Sequence, residues 1–288
     1  IWGSSFPLMK LVLNYLPAYG YITLRFFIAA FVLTAIFHKN LRKLNKRTII
    51  CGCIIGLFMF AGTALQVIGL YTTSASNSGF ITGLNVVMVP VFSAIMLRKK
   101  PDRASFIGVV IAFAGLFFLS GGLNFNFNIG DFLTFLCSIC WALQIIFIDK
   151  FNQNEDASLL AIIQMYFIGI AGALFWIAFD AGKPVIINGT SAIILLITGV
   201  LGSALAFGGQ TIAQKDTTPT HTALIFTAEP VFAGLFAMII PDAAGNTETL
   251  TITKTIGCVL ILAGMLVSEL KPGKKENKKQ VELNDGQV

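Results

Sequence analysis

Ten apolar runs, each close to the roughly 20 residues a helix needs to cross a bilayer's hydrocarbon core, take up most of this 288-residue chain. They cover 1–17, 20–38, 49–71, 78–97, 104–120, 131–149, 158–179, 191–213, 219–240 and 253–270. In hydrocarbon every backbone polar group must be satisfied internally, so runs of this length read as spanning helices. The sequence therefore predicts an all-α integral membrane protein with ten transmembrane helices. Composition agrees: charged residues make up 12%, against about 25% in soluble domains. Too little polar surface remains to face water, which excludes a soluble enzyme. A net charge of +6 suggests nucleic acid, but that reading fails because the basic residues sit in short loops between apolar runs. The first run opens mid-pattern at Ile1-Trp2-Gly3, which predicts about ten further residues upstream for a full crossing. A signal peptide fits poorly, since no basic leader or cleavage site is present and the run flows into a second span.

Lysine and arginine placement sets the orientation. With the N-terminus inside and ten spans, the inner loops hold Lys39, Arg42, Lys43, Lys46, Arg47, Arg98, Lys99, Lys100, Arg103, Lys150 and Lys215. The inner tail adds Lys271, Lys274, Lys275, Lys278 and Lys279. Only Lys183 and Lys254 fall outside, while Lys10 and Arg25 lie within spans. Any other span count scrambles this pattern, so both termini are expected in the cytoplasm. The segment 271–288 is polar and mixed in charge, and reads as a disordered tail.

The chain also repeats itself. IGVVIAFAGLFFLS at 107–120 lies over IGCVLILAGMLVSE at 256–269 with five identities. A shift of 144 sets Gln66 on Gln210, Thr73 on Thr217, Ile81 on Ile225 and Asn85 on Glu229, and a shift of 139 sets Trp2 on Trp141. The expected units are 1–120 and 131–270, five helices each. Two copies of an odd-span unit enter the membrane in opposite orientations. Such inverted repeats are a recurring plan of secondary transporters, with the substrate site near the midplane.

Intramembrane ionisable residues are functional candidates by default. Glu229 lies halfway through the ninth run, just before Pro230, where the missing backbone donor loosens the helix a turn earlier. It reads as a substrate or proton site, or as a structural partner for a polar neighbour. Arg25 lies about five residues into the second run, suited either to gripping a carboxylate bidentately or to snorkelling outward. Lys10 offers the same choice in the first run. Gln66, Gln210 and Asn85 are uncharged candidates for a shared cavity. Trp2 and Trp141 are candidates for aromatic walls, with interfacial packing as the alternative. Gln144 and Gln164 read as helix bridges, and His221 as a solvated helix-start residue. The five cysteines all fall in apolar runs, where a thiol behaves as a small hydrophobe, and no metal set is expected. There is no Gly-rich phosphate loop, so no nucleotide cofactor is expected and any energy must come from gradients.

Several motifs together carry a resemblance: WGSSF at 2–6, TLRFF at 23–27, TSASNSGFITGL at 73–84, AEPVFA at 228–233 and the Ala-Gly-bearing closing helices. The chain resembles the drug/metabolite transporter superfamily, in its ten-helix branch with two EamA-type repeats. The likeness implies export or exchange of small metabolites, often amino acids, across the bacterial inner membrane. It also implies a central cavity lined by the first, third and fourth helices of each repeat. One departure is that Pro90 lies four residues beyond the position matching Pro230.

The functional expectation is a secondary transporter of a small polar metabolite, an amino acid or related zwitterion or anion, working by alternating access. Two basic residues against one acid suit such a substrate better than a lipophilic cation. The alternatives are a passive facilitator or pore, and a multidrug efflux protein. An intramembrane enzyme would need a paired catalytic set, and none is seen. The expected partners are the bilayer and a small-molecule substrate.

Overall fold

A computed structural model describes residues 1–98, 103–119, 128–240, 247, 249 and 251–269. Lys99, Lys100 and the tail 271–288 lie outside the described residues. Within them the regular structure is helical throughout, in the order α1 (Trp2–Val12), α2 (Ala18–Phe37), α3 (Lys46–Gly69), α4 (Ala75–Thr82) and α5 (Asn85–Phe92). Then come α6 (Arg103–Leu119), α7 (Ile129–Asn152), α8 (Ala157–Phe179), α9 (Gly189–Leu196) and α10 (Ala206–Ala213), followed by α11 (Pro219–Phe226), α12 (Ala228–Ala237) and α13 (Ile252–Glu269). A π-helical stretch, Ile197–Leu205, joins α9 to α10, and another, Ser93–Leu97, extends α5. Among the described residues, six continuous stretches are long and apolar enough to cross a membrane: Ala18–Lys43, Lys46–Gly69, Ala75–Leu97, Ile129–Asn152, Ala157–Phe179 and Gly189–Asp216. The apolar helices Arg103–Phe118 and Ile252–Val267 are shorter.

Side-chain caps punctuate the runs. Asn45 accepts from the Thr48 amide at 2.9 Å, and Ser74 from the Asn77 amide at 3.0 Å. Asn128 with Asp131 and Asn188 with Ser191 form reciprocal capping boxes. Each supplies an acceptor to amides that have no intrahelical partner, and so fixes where an apolar run begins.

The fourth and ninth runs are each broken in two. α4 gives way to α5 at Gly83-Leu84, and α11 to α12 at Thr227. Under the shift of 144, Gly83 falls on Thr227, so the breaks coincide even though the prolines do not. At the second break, Pro230 cannot donate to the carbonyl of Phe226, four residues before it. At the first, glycine lets helices approach closely: a Cβ on Gly83 would lie 3.0 Å from Leu116 Cδ2 and 3.3 Å from Pro230 Cγ. The two broken helices therefore meet at their breaks.

Close backbone contact holds other pairs together. A Cβ on Gly115 of α6 would lie 2.8 Å from the Gly257 carbonyl and from the Ile261 amide nitrogen. One on Gly264 of α13 would lie 2.6 Å from the Gly108 carbonyl and 2.8 Å from the Ala112 nitrogen. Partner numbers fall along α13 as they rise along α6, so these helices run antiparallel. In lipid, where apolar side chains gain nothing by leaving the solvent, such backbone proximity supplies the packing energy. Elsewhere α2 packs on α8, α3 on α7 and α8, and α1 on α12.

Candidate functional site

Where α1, α3, α4, α5, α7, α10, α11 and α12 converge, they surround a small cavity of about 30 Å³. Helix α2 adds Arg25.

The aromatic side is built from four helices. Trp141 of α7 stacks on Phe207 of α10, with ring centroids 5.2 Å apart and planes 9° apart. Trp2 of α1 touches the same Phe207 at 4.6 Å and meets Phe226 edge-on at 4.8 Å. The Trp2 indole donates to the Gly202 carbonyl at 2.8 Å. Stacked and edge-on rings of this kind hold each other in place, giving a rigid apolar wall.

The polar side carries amides, hydroxyls and one acid. Gln66 donates to Thr82 Oγ1 at 3.0 Å, and Gln210 to Gln144 Oε1 at 3.1 Å. The amide atoms Gln210 Oε1, Gln144 Nε2 and Asn85 Oδ1, with Thr63 Oγ1 and Trp141 Nε1, are buried and have no hydrogen-bond partner among the described residues. Buried polar atoms in proteins are nearly always hydrogen-bonded, so this cluster offers three kinds of unsatisfied group to whatever enters. Glu229, half-buried, lines the same cavity.

Arg25 is 3% exposed. Its Nε donates to Ser203 Oγ at 2.7 Å, and Nη1 to Met9 Sδ and to the Tyr21 hydroxyl, each at 3.2 Å. The Phe26 and Tyr21 rings lie 5.2 and 5.8 Å from the guanidinium carbon. The side chain therefore turns inward and does not snorkel. No carboxylate lies within ion-pair distance of it among the described residues. Glu229 and Arg25 line the same cavity. A cation buried without a direct counter-ion is costly, and that cost is relieved when an anion arrives.

Of the eight residues singled out from sequence, Trp2, Arg25, Gln66, Asn85, Trp141, Gln210 and Glu229 line this cavity. Lys10 does not: its ammonium donates to the Thr73 carbonyl, where α3 hands over to α4. The flexible stem of lysine carries its charge away from the cavity to a chain junction. His221 also departs from its sequence reading. It is 8% exposed, because α11 packs against α5, α6 and α7. Gln164 bridges α8 to α10 through Thr211 Oγ1 at 2.8 Å. The five cysteines are free.

Sequence reasoning missed Ser5, Thr63, Thr82, Phe207 and Phe226, and gave Gln144 only a bridging role. A signal was available. Each lies three residues from a candidate, one helical turn along the same face. The shifts of 139 and 144 pair them too: Ser5 with Gln144, Thr63 with Phe207 and Thr82 with Phe226. Twelve of the fifteen lining residues thus form six pairs. Asymmetry remains within them, since the first half supplies hydroxyls where the second supplies amide and aromatic groups, and Asn85 stands opposite Glu229.

The model of the EamA-like transporter family matches residues 1–121 and 128–270. An uncharacterized transporter of Archaeoglobus fulgidus is 33% identical over 271 residues, covering 94% of this chain and 83% of that protein. The uncharacterized transporter YyaM of Bacillus subtilis is 28% identical over 286 residues, covering 92% and 89%. A solved crystal structure shares the fold, with a TM-score of 0.72 at 18% identity over 93% of this chain and 94% of its own. Family and relatives point to a transporter rather than an enzyme. With both halves matched and the apolar helices in place, this chain is a multi-pass membrane protein that belongs to the EamA-like transporter family.

Proposed function

We propose that this protein is a secondary transporter that moves a small anionic or zwitterionic metabolite, such as an amino acid, by alternating access of two inverted five-helix repeats. The repeats are 1–120 and 131–270, and together they make ten spans in the bacterial inner membrane with both termini cytoplasmic. The central cavity carries the reading, because residues paired by the sequence repeat meet there. Three further features support it. The family model matches each half separately. The breaks in α4–α5 and α11–α12 align under one shift, as in discontinuous helices that frame a midplane site. Gly115 meets Gly257 and Gly264 meets Gly108, the reciprocal contact that a two-fold axis produces between equivalent helices. Their antiparallel course suits an axis lying in the membrane plane.

In this account each half closes the cavity toward one side in turn. Arg25 takes the anionic group, the open amides orient the rest, and Glu229 takes a substrate ammonium or a coupling proton. The experiment is a metabolite comparison of medium from cells over-expressing the native chain or Glu229→Gln. At equal membrane expression, a polar metabolite should accumulate outside with the native chain and not with the variant. Identical media would overturn the reading.

A further inference from the structure

The guanidinium of Arg25 has five N–H groups, and three of them are committed. Nε is held by Ser203, and Nη1 by Met9 and Tyr21. Both N–H groups of Nη2 remain, on a side chain that is 3% exposed. Beside that nitrogen lies Gly202. A Cβ added there would sit 3.5 Å from Arg25 Nη2 and 3.3 Å from Ser5 Oγ. The glycine thus keeps open the gap between a free cationic donor and a hydroxyl. Ser5 presently donates to the Ile1 carbonyl at a long 3.3 Å, a bond that a rotating hydroxyl gives up readily. The neighbouring residue, Ser203, orients the guanidinium from the same π-helical stretch, Ile197–Leu205. Such π-helical insertions concentrate at functional sites.

We infer that the gap between Arg25 Nη2, Ser5 Oγ and Gly202 is an anion subsite that takes a substrate carboxylate end-on, with Gly202 the specificity-determining residue and Ser203 the positioning residue. The inference rests on the cavity being the transport site. End-on seating follows from the commitments of Nε and Nη1, since a bidentate fork needs two free nitrogens. Glu229, the acid facing the same cavity, leaves room for a cationic group on the substrate's other side.

The test uses the full chain in lipid nanodiscs and isothermal titration with acetate, N-acetylglycine and phenylacetate, each set against its primary amide. At least one carboxylate should saturate, with its amide about tenfold weaker or worse, because a hydrogen bond to a charged group is lost. Gly202→Ala should weaken that carboxylate about tenfold or more. Its new contacts lie at 3.3 to 3.9 Å, and the tightest is with the Ser5 hydroxyl, a side-chain atom that can give way. Gly209→Ala, where a Cβ meets nothing within 4 Å, should bind as the native chain does. Ser203→Ala should weaken binding several-fold, and Ser203→Thr should restore it. The subsite is overturned if none of the three carboxylates binds, if an amide binds as well as its acid, or if Gly202→Ala leaves affinity unchanged. Efflux from loaded proteoliposomes separates the two readings. Efflux that ignores both the carboxylate and Gly202→Ala removes the subsite and leaves the transporter, whereas carboxylate binding without efflux removes the transporter and leaves the subsite.

Discussion

Arg25 illustrates how much of a site depends on where one side chain's hydrogen bonds go. Lysine keeps the charge but cannot reach Ser203, Met9 and Tyr21 together, since it lacks the planar fork. Arg25→Lys is therefore expected to raise KM for export about tenfold with little change in kcat, measured in proteoliposomes. An unchanged KM would place the cation outside the binding step. Trp141→Leu removes the ring stacked on Phe207 at 5.2 Å and should weaken binding of flat substrates by about 0.5–1.5 kcal/mol. Binding equal to the native chain's would show that the wall is only packing. The residues that carry this chemistry were legible in sequence when they bore a charge or an amide, because such a group in an apolar run stands out, whereas the hydroxyls of Ser5, Thr63 and Thr82 did not. Phe207 and Phe226 were not, since one phenylalanine among 26 looks the same whether it faces lipid, core or cavity. Ser203 and Gly202 were hidden for a different reason: their importance lies in what Arg25 and Trp2 do next to them.

The helices as elements are fixed by caps, breaks and small residues. Asp156 caps α8 by accepting from the Ser158 and Leu159 amides, and also meets Lys43 at 3.8 Å. Burial pushes its carboxyl up, but the Ser158 hydroxyl and amide, the Leu159 amide and Lys43 outweigh that and hold it below its ordinary 3.8. A carboxyl held low stabilises the fold above its unfolded value and loses that contribution as pH falls through the folded one. The cap should thus persist at neutral pH and fail only in acid below about pH 4. Asp156→Ala is expected to cost about 1 kcal/mol at pH 7, a difference that should vanish in strong acid. A thermal-melt comparison at both pH values checks the sign. At the α6–α13 contact, Gly264→Ala sets a Cβ against the Gly108 carbonyl, a backbone atom that cannot swing aside. About 1–3 kcal/mol of destabilisation is expected, visible as a lower midpoint in detergent melts. An unchanged midpoint would mean that the helices stand further apart. Run lengths made these elements readable beforehand. Their faces were much less so, because both the lipid side and the packed side of such a helix are apolar. The break at Gly83 was unmarked in sequence, because Val86 and not a proline stands at the position matching Pro230.

At the scale of the whole molecule, the ties between elements recur on two faces. On one, Arg47 pairs with Glu155 at 3.1 Å and Lys43 with Asp156, joining the α2–α3 connection to the α7–α8 turn. On the other, the Tyr19 amide donates to Asp180 at 3.0 Å and the Ile186 amide to the Tyr15 carbonyl at 2.8 Å, joining the α1–α2 turn to the α8–α9 connection. A shift of 139 sets Leu16 on Glu155, so the second tie echoes the first with different chemistry. This recurrence is what two inverted copies of one unit, sharing one cavity, would produce. Gln66 and Gln210 decide the matter, because inverted halves must place these paired residues on opposite sides of the membrane midplane. The measurement is thiol labelling by a membrane-impermeant reagent, applied to intact cells and to inverted vesicles. The five native cysteines are first replaced by alanine, and Gln66→Cys and Gln210→Cys are tested one at a time. Gln66→Cys should label from outside and Gln210→Cys from inside, and transported substrate should protect both. Both labelling from the same side only would contradict two inverted halves around a common site.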